Sequence, residues 1–148
     1  MANGRRGRSK RDLSREPGGF VAMPWRVMDS KAYQNLSHTA RSLLLELARQ
    51  LRPDNNGQLL ASRAHLLKRG WRSADVIDRA KRELLNAELI VETVKGHRPN
   101  KASWFAVTWR LLDHHPSYDP GVQSTFRRGA YSRIQNAAFS PSGGTMPN

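Results

Sequence analysis

Gly70 and Trp71 separate two short segments that each open on a serine, and two runs of β-branched and aromatic residues follow the second segment directly. Ser62 precedes a segment with Ala64, Leu66 and Leu67, and Ser73 precedes one with Val76, Ile77, Ala80, Leu84 and Ala87. Serine is a preferred helix N-cap because its hydroxyl accepts an otherwise orphaned backbone N–H. Glycine ends helices because it enters the left-handed region without steric cost. The spacing therefore predicts a short helix, a tight turn and a longer helix from about Ala74 to Ala87, the arrangement of a helix-turn-helix. Leu89–Val94 and Ser103–Trp109 read as strands joined by the polar loop 96–101, which predicts a β-hairpin directly after the second helix.

Upstream, Ala40, Leu43, Leu44, Leu47 and Leu51 recur at three- and four-residue spacing, which predicts an amphipathic helix over 38–51 capped by Ser37 and stopped by Pro53. Asp54-Asn55-Asn56-Gly57 is turn chemistry, and Gln58-Leu59-Leu60 is a short strand candidate. Phe20, Val21, Met23, Trp25, Val27 and Met28 read as the start of the core, with Pro24 in the first turn of a short helix. Trp25, Trp71, Trp104 and Trp109 are expected in the core or at its rim. The expected fold is mainly α with a small antiparallel β-hairpin: a winged helix-turn-helix of three to four helices and a two- or three-stranded sheet.

The chain of 148 residues accommodates one such domain with tails. Residues 1–17 hold little apolar material and are expected to be a disordered basic arm, 18–112 the folded domain, and 113–148 a partly disordered extension with a weak helix over 123–139. The chain contains no cysteine, which excludes disulfides and cysteine-ligated zinc. No stretch approaches a membrane span or a secretory leader, so a cytoplasmic protein with no membrane partner is expected.

Charge indicates the partner. The formal net charge is +13, from 25 Lys and Arg against 12 Asp and Glu, and an excess of that size favours a polyanion. Residues 1–16 carry six basic and two acidic side chains, 17–112 sixteen and eight, and 113–148 three and two. On the longer predicted helix, Asp75, Arg79, Arg82 and Asn86 lie opposite the apolar stripe with Asp78 beside them, and Arg72 and Ser73 stand at its entrance. Arginine can pair with guanine through two parallel hydrogen bonds, and Asp can accept from cytosine while repelling phosphate, so the mixture favours selective reading over bulk attraction. The alternative is a solvated face with ion pairs such as Asp75–Arg79. His97, Arg98, Asn100 and Lys101 crowd the hairpin tip, where cations can reach a minor groove or phosphates. Lys68 and Arg69, with Arg41 and Arg49 on the preceding helix, are candidate phosphate contacts. In the arm, Arg5, Arg6 and Arg8 surround an Arg-Gly-Arg tripeptide similar to the core of an AT-hook, without that motif's flanking prolines.

Signals of catalysis are poor. His38, His65, His97, His114 and His115 form no His-Glu-x-x-His spacing, and no phosphate-cradling Gly-Lys-Ser/Thr loop or Gly-x-Ser-x-Gly elbow occurs. No enzyme activity, metal, cofactor or small-molecule ligand is expected.

Several further segments occur in a characteristic order: Phe20-Val21-Ala22-Met23-Pro24, Asp29-Ser30-Lys31-Ala32-Tyr33, Leu36-Ser37, Asn55-Asn56-Gly57, Lys68-Arg69-Gly70-Trp71 and Asn100-Lys101-Ala102-Ser103-Trp104. Over about 18–120 the chain thereby resembles small winged-helix proteins of bacterial phages, plasmids and integrative elements, and distantly the winged-helix domains of plasmid replication initiators. The resemblance implies double-stranded DNA binding on a mobile element, in the bacterial cytoplasm at the nucleoid. The expected role is a sequence-specific transcriptional regulator, acting alone or as a homodimer. An accessory factor for replication or excision stays open, as does an RNA-binding or host-complex-inhibiting basic protein.

Overall fold

Serine caps set most of the helix starts in the computed structural model, which describes residues 13–97 and 99–135. Among these there are six helices and a three-stranded antiparallel sheet, a small mixed α/β architecture. Helix α1 spans Trp25–Met28 and α2 Lys31–Gln34; α3 spans His38–Arg49, α4 Arg63–Leu67 and α5 Ala74–Asn86; α6 spans Val122–Thr125, and a 3₁₀ turn follows at Ala130–Arg133. Strand β1 is Leu59–Leu60, β2 Ile90–Val94 and β3 Trp104–Val107. The Ser30, Ser37, Ser62 and Ser73 side chains each accept the backbone N–H three residues ahead, which satisfies one orphan donor at the start of α2, α3, α4 and α5.

The helix ends use the same economy. The Trp71 N–H donates to the Leu66 carbonyl at 3.0 Å and the Gly70 N–H to Leu67 at 3.2 Å. This 6→1, 5→2 pair requires a left-handed residue, and Gly70 supplies it at φ +97°. After α5 the pattern repeats, with Leu89 donating to Leu84 (3.1 Å) and Glu88 to Leu85 (3.0 Å). Here the left-handed residue is Glu88, at φ +58°, the one non-glycine residue with positive φ among those described.

The strands lie in the order β1-β3-β2. Leu59 pairs with Phe105, and Ile90 with Val107. The β2–β3 register slips between Glu92 and Val94, so Thr93 is an extra residue on β2. Its side chain is buried and donates to the Gly57 carbonyl at 2.5 Å. Beyond this ladder His97 and Lys101 exchange two backbone hydrogen bonds, of 2.8 and 2.9 Å, which close the hairpin tip.

One core joins these elements. Leu43, Leu44 and Leu47 of α3 meet Ile77, Ala80 and Leu84 of α5, with Leu59, Leu66, Leu89, Ile90, Phe105 and Val107 closing it. Each of these leucines is at most about 0% exposed, and burial of such a side chain contributes roughly 1.5–3 kcal/mol. Asn56 is buried as well. Its Nδ2 donates to the Val107 (3.1 Å) and Leu111 (2.9 Å) carbonyls, and its Oδ1 accepts the Val107 N–H (2.9 Å), so a polar knot ties the α3–β1 connection to the end of β3.

The described part of the expected extension, 113–135, folds back onto the domain. The Tyr118 hydroxyl donates to the Asp113 carbonyl (2.6 Å), and its ring lies over Gly57, where an added Cβ would stand 1.9 Å from that hydroxyl. The Asp119 N–H donates to the Thr93 carbonyl and its carboxylate accepts the Lys95 N–H, both at 2.8 Å, so this strap covers the outer edge of β2. Tyr131 then enters the core at 4% exposure. The helix expected over 123–139 is reduced, within the described part, to α6 and the 3₁₀ turn. Trp25 also departs from expectation. It is 83% exposed, because the four-residue α1 turns only Val27 fully inward. Trp71 and Trp109 are partly buried against the core as expected.

Candidate nucleic-acid interface

Helix α5 is held on one side only. Ile77, Ala80 and Leu84 face α3 and the sheet, and the opposite face is left to solvent. Arg72, Ser73, Asp75, Asp78, Arg79, Arg82 and Asn86 are all exposed. The Ser73 hydroxyl is engaged as the N-cap, accepting from the Val76 N–H at 3.2 Å. Asp75 lies in the first turn, where a carboxylate complements the positive end of the helix dipole.

The arginines of this face are unengaged. Among the described residues the side chains of Arg72, Arg79 and Arg82 make no hydrogen bond or ion pair, and Asp75 and Arg79 do not form the pair their spacing allows. Asp78 sits 3.8 Å from Lys81 Nζ at an exposed site, a contact worth at most about 1 kcal/mol. Lys81 itself leans toward the sheet, 6.0 Å from the Phe105 ring centroid. The outward face thus offers three guanidiniums with two carboxylates between them.

The hairpin tip is the second element. His97, Asn100 and Lys101 are exposed there, on a loop fixed by the His97–Lys101 backbone pair. Arg98, together with Arg5, Arg6 and Arg8 of the arm, lies outside the described residues.

The turn between α4 and α5 carries two further cations. Lys68 and Arg69 are both exposed, and Arg69 pairs with Glu46 of α3 at 2.8 Å. Arg41 is partly buried: its guanidinium stacks 4.7 Å from the Tyr33 ring centroid and donates to the Gln34 carbonyl at 2.9 Å. Arg69 and Arg41 brace the helices, because the carboxylate and the aromatic face that hold them come from elements the sequence does not show to be adjacent. Two cations that were not singled out, Arg26 and Arg128, line one cavity together; each reads in sequence as an ordinary surface charge.

Among the described residues no group of three His, Asp or Glu side chains is placed to hold a metal ion, and no helix is long and apolar enough to cross a membrane. No family model, curated protein or solved structure matches the chain.

Proposed function

We propose that this protein is a winged helix that binds double-stranded DNA selectively and without catalysis, as a cytoplasmic regulator of transcription on a mobile element. Helix α5 is the recognition helix in the major groove, and the β2–β3 hairpin is the wing. The observation that carries this reading is the outward face of α5, where Arg72, Arg79 and Arg82 have no partner among the described residues. A thirteen-residue helix presented with one face bare suits a groove that admits one helix. The element order supports it too. Helix α3, strand β1, helices α4 and α5, then β2 and β3, with sheet order β1-β3-β2, is the succession of a winged helix.

The charges divide the work in this reading. Arg79 and Arg82 meet base edges, Asp75 and Asp78 reject phosphate approach at the wrong register, and Lys68, His97, Asn100 and Lys101 meet backbone or minor groove, joined by Arg98 and by Arg5, Arg6 and Arg8. The experiment is footprinting of the purified chain on the DNA upstream of its own gene. Protection of one discrete site is the expected result. Weak protection spread evenly along the fragment overturns the claim of selectivity, and a single-stranded RNA that outcompetes duplex DNA overturns the choice of nucleic acid.

A further inference from the structure

Two cavities open side by side where α1 and α2 meet the end of the chain's described part. One, of about 390 Å³, is lined by Arg26, Trp109, Arg128, Tyr131 and Ser132 among others, and no acidic residue lines it. The other, of about 560 Å³, shares Arg26, Tyr131 and Ser132 and adds Lys31 and Asp29. Both lie within the roughly 300–1,000 Å³ range of small-ligand sites.

The first cavity is built. The Gly129 N–H donates to the Thr108 carbonyl at 2.6 Å, which sets Arg128 beside Trp109. Arg133 pairs with Glu88, and Tyr131 anchors the same turn in the core. Yet its polar groups are idle. Arg26 and Arg128 are exposed, and neither makes a hydrogen bond or ion pair among the described residues. Tyr131 is 4% exposed as a residue, and its hydroxyl, which makes no hydrogen bond among the described residues, keeps contact with solvent. Trp109 is half-buried against the core and lines the cavity.

We propose that this cavity binds a nucleoside monophosphate group, either free or at the 5′ end of a single strand. The base lies against the Trp109 indole, and the phosphate sits between the Arg26 and Arg128 guanidiniums. A planar aromatic wall takes any nucleobase by stacking. Guanidinium forks match phosphate oxygens in geometry and charge, and here no carboxylate competes for them. The Tyr131 hydroxyl is free to donate to the sugar or phosphate. The site lies past the far end of β3, beyond Val107, whereas the hairpin tip precedes Trp104 at the near end. No residue of α5 lines it, so it does not depend on the face of that helix, and one site can fail while the other stands.

The test is calorimetric titration of the full chain with deoxyadenosine monophosphate, deoxyadenosine, inorganic phosphate and a short 5′-phosphorylated oligodeoxyadenylate. The expected result is saturable binding of the monophosphate, about tenfold tighter than of phosphate or nucleoside alone, because stacking and charge act together. Arg128→Ala, an exposed change that leaves the core intact, weakens it about tenfold, whereas Arg79→Ala leaves it within about twofold. Trp109→Leu adds a loss of stacking, read only if its circular dichroism matches the parent. Tighter binding of the oligonucleotide than of the monophosphate identifies a strand end as the ligand, and equal or weaker binding identifies the free nucleotide. Absence of saturable binding to both nucleotide probes at millimolar concentration, phosphate binding as well as the monophosphate, or indifference to Arg128→Ala overturns the proposal.

Discussion

Glu83 holds the start of a helix 46 residues away: its two carboxylate oxygens accept the Ser37 backbone N–H at 2.9 Å and the Ser37 hydroxyl at 2.7 Å. Ser37 is the N-cap of α3, and its oxygen also accepts from the Ala40 N–H at 3.1 Å. The pair does across the tertiary structure what a capping box does within one helix, where the acid comes three residues after the cap. It locks the rotation of α5 about its axis against α3, and so fixes the direction in which Arg72, Arg79 and Arg82 face.

Glu83→Ala removes both acceptors and leaves the Ser37 N–H to water. A lost cap with charge-assisted bonds costs about 1–2 kcal/mol, which urea denaturation reads as a lower midpoint at an unchanged slope. Ser37→Ala costs a similar amount, and the double variant costs less than the two singles together because they share the bonds. Additive losses contradict the coupling.

Glu88 sits in the left-handed region at φ +58°, a conformation that costs a non-glycine residue about 1 kcal/mol. Its carboxylate is compensated by the Arg133 pair, an exposed contact worth less than that. Glu88→Gly in an Arg133→Ala background is expected to gain about 1 kcal/mol in thermal or urea unfolding, and Glu88→Val to lose at least as much. A destabilising glycine would mean that the Glu88 backbone geometry is set by something other than the helix end.

Tyr118 is pushed above its ordinary pKa of 10.0, first by burial and then by the Asp113 charge. Both disfavour the phenolate in the folded state. The stability this contributes is therefore fully present below the unfolded value near 10 and is lost as pH rises through the higher folded value. The chain is expected to weaken at alkaline pH, with Tyr118 ionising late in an ultraviolet phenolate titration. Tyr118→Phe should remove that part of the alkaline decline while costing about 1 kcal/mol at neutral pH, through the lost hydroxyl bond to the Asp113 carbonyl. An unaltered alkaline profile in Tyr118→Phe excludes this group as the cause.

How much of this was legible follows from the range of each interaction. Ser37, Ser62 and Ser73 were readable as caps, and Gly70 as a helix end, because a cap is satisfied within three residues of itself. The α5 stripe was readable because burial at helical spacing repeats along the chain. The strap from Asp113 to Gln135 was not, since its hold rests on isolated residues, Tyr118 over Gly57 and Tyr131 in the core, that have no periodic signature. The pairing of Arg69 with Glu46 was hidden for the same reason, being decided by a neighbour distant in sequence, whereas the outward turn of Trp25 follows from the four-residue length of α1. For the candidate interface, the residues of α5 that the sequence singled out do share one exposed face, but which cations the fold would recruit for bracing could not be read locally.

Arg79 and Asp75 give the sharpest test of the DNA reading, because they lie one helical turn apart on the bare face and oppose each other in charge. If Arg79 reads a base edge, Arg79→Ala costs about 1–3 kcal/mol at the preferred site and relaxes selectivity at one position, with little effect on unrelated DNA. A phosphate contact instead loses affinity equally on all sequences and lowers the salt slope by about 1. Asp75→Asn has the opposite signature: it removes repulsion, so affinity for unrelated duplexes rises while the gap between specific and non-specific sites narrows. Both are read by titrating labelled duplexes at several salt concentrations. Uniform loss in Arg79→Ala together with uniform gain at all sites, and no narrowing, in Asp75→Asn would reduce the α5 face to a charge surface and leave selectivity to the hairpin.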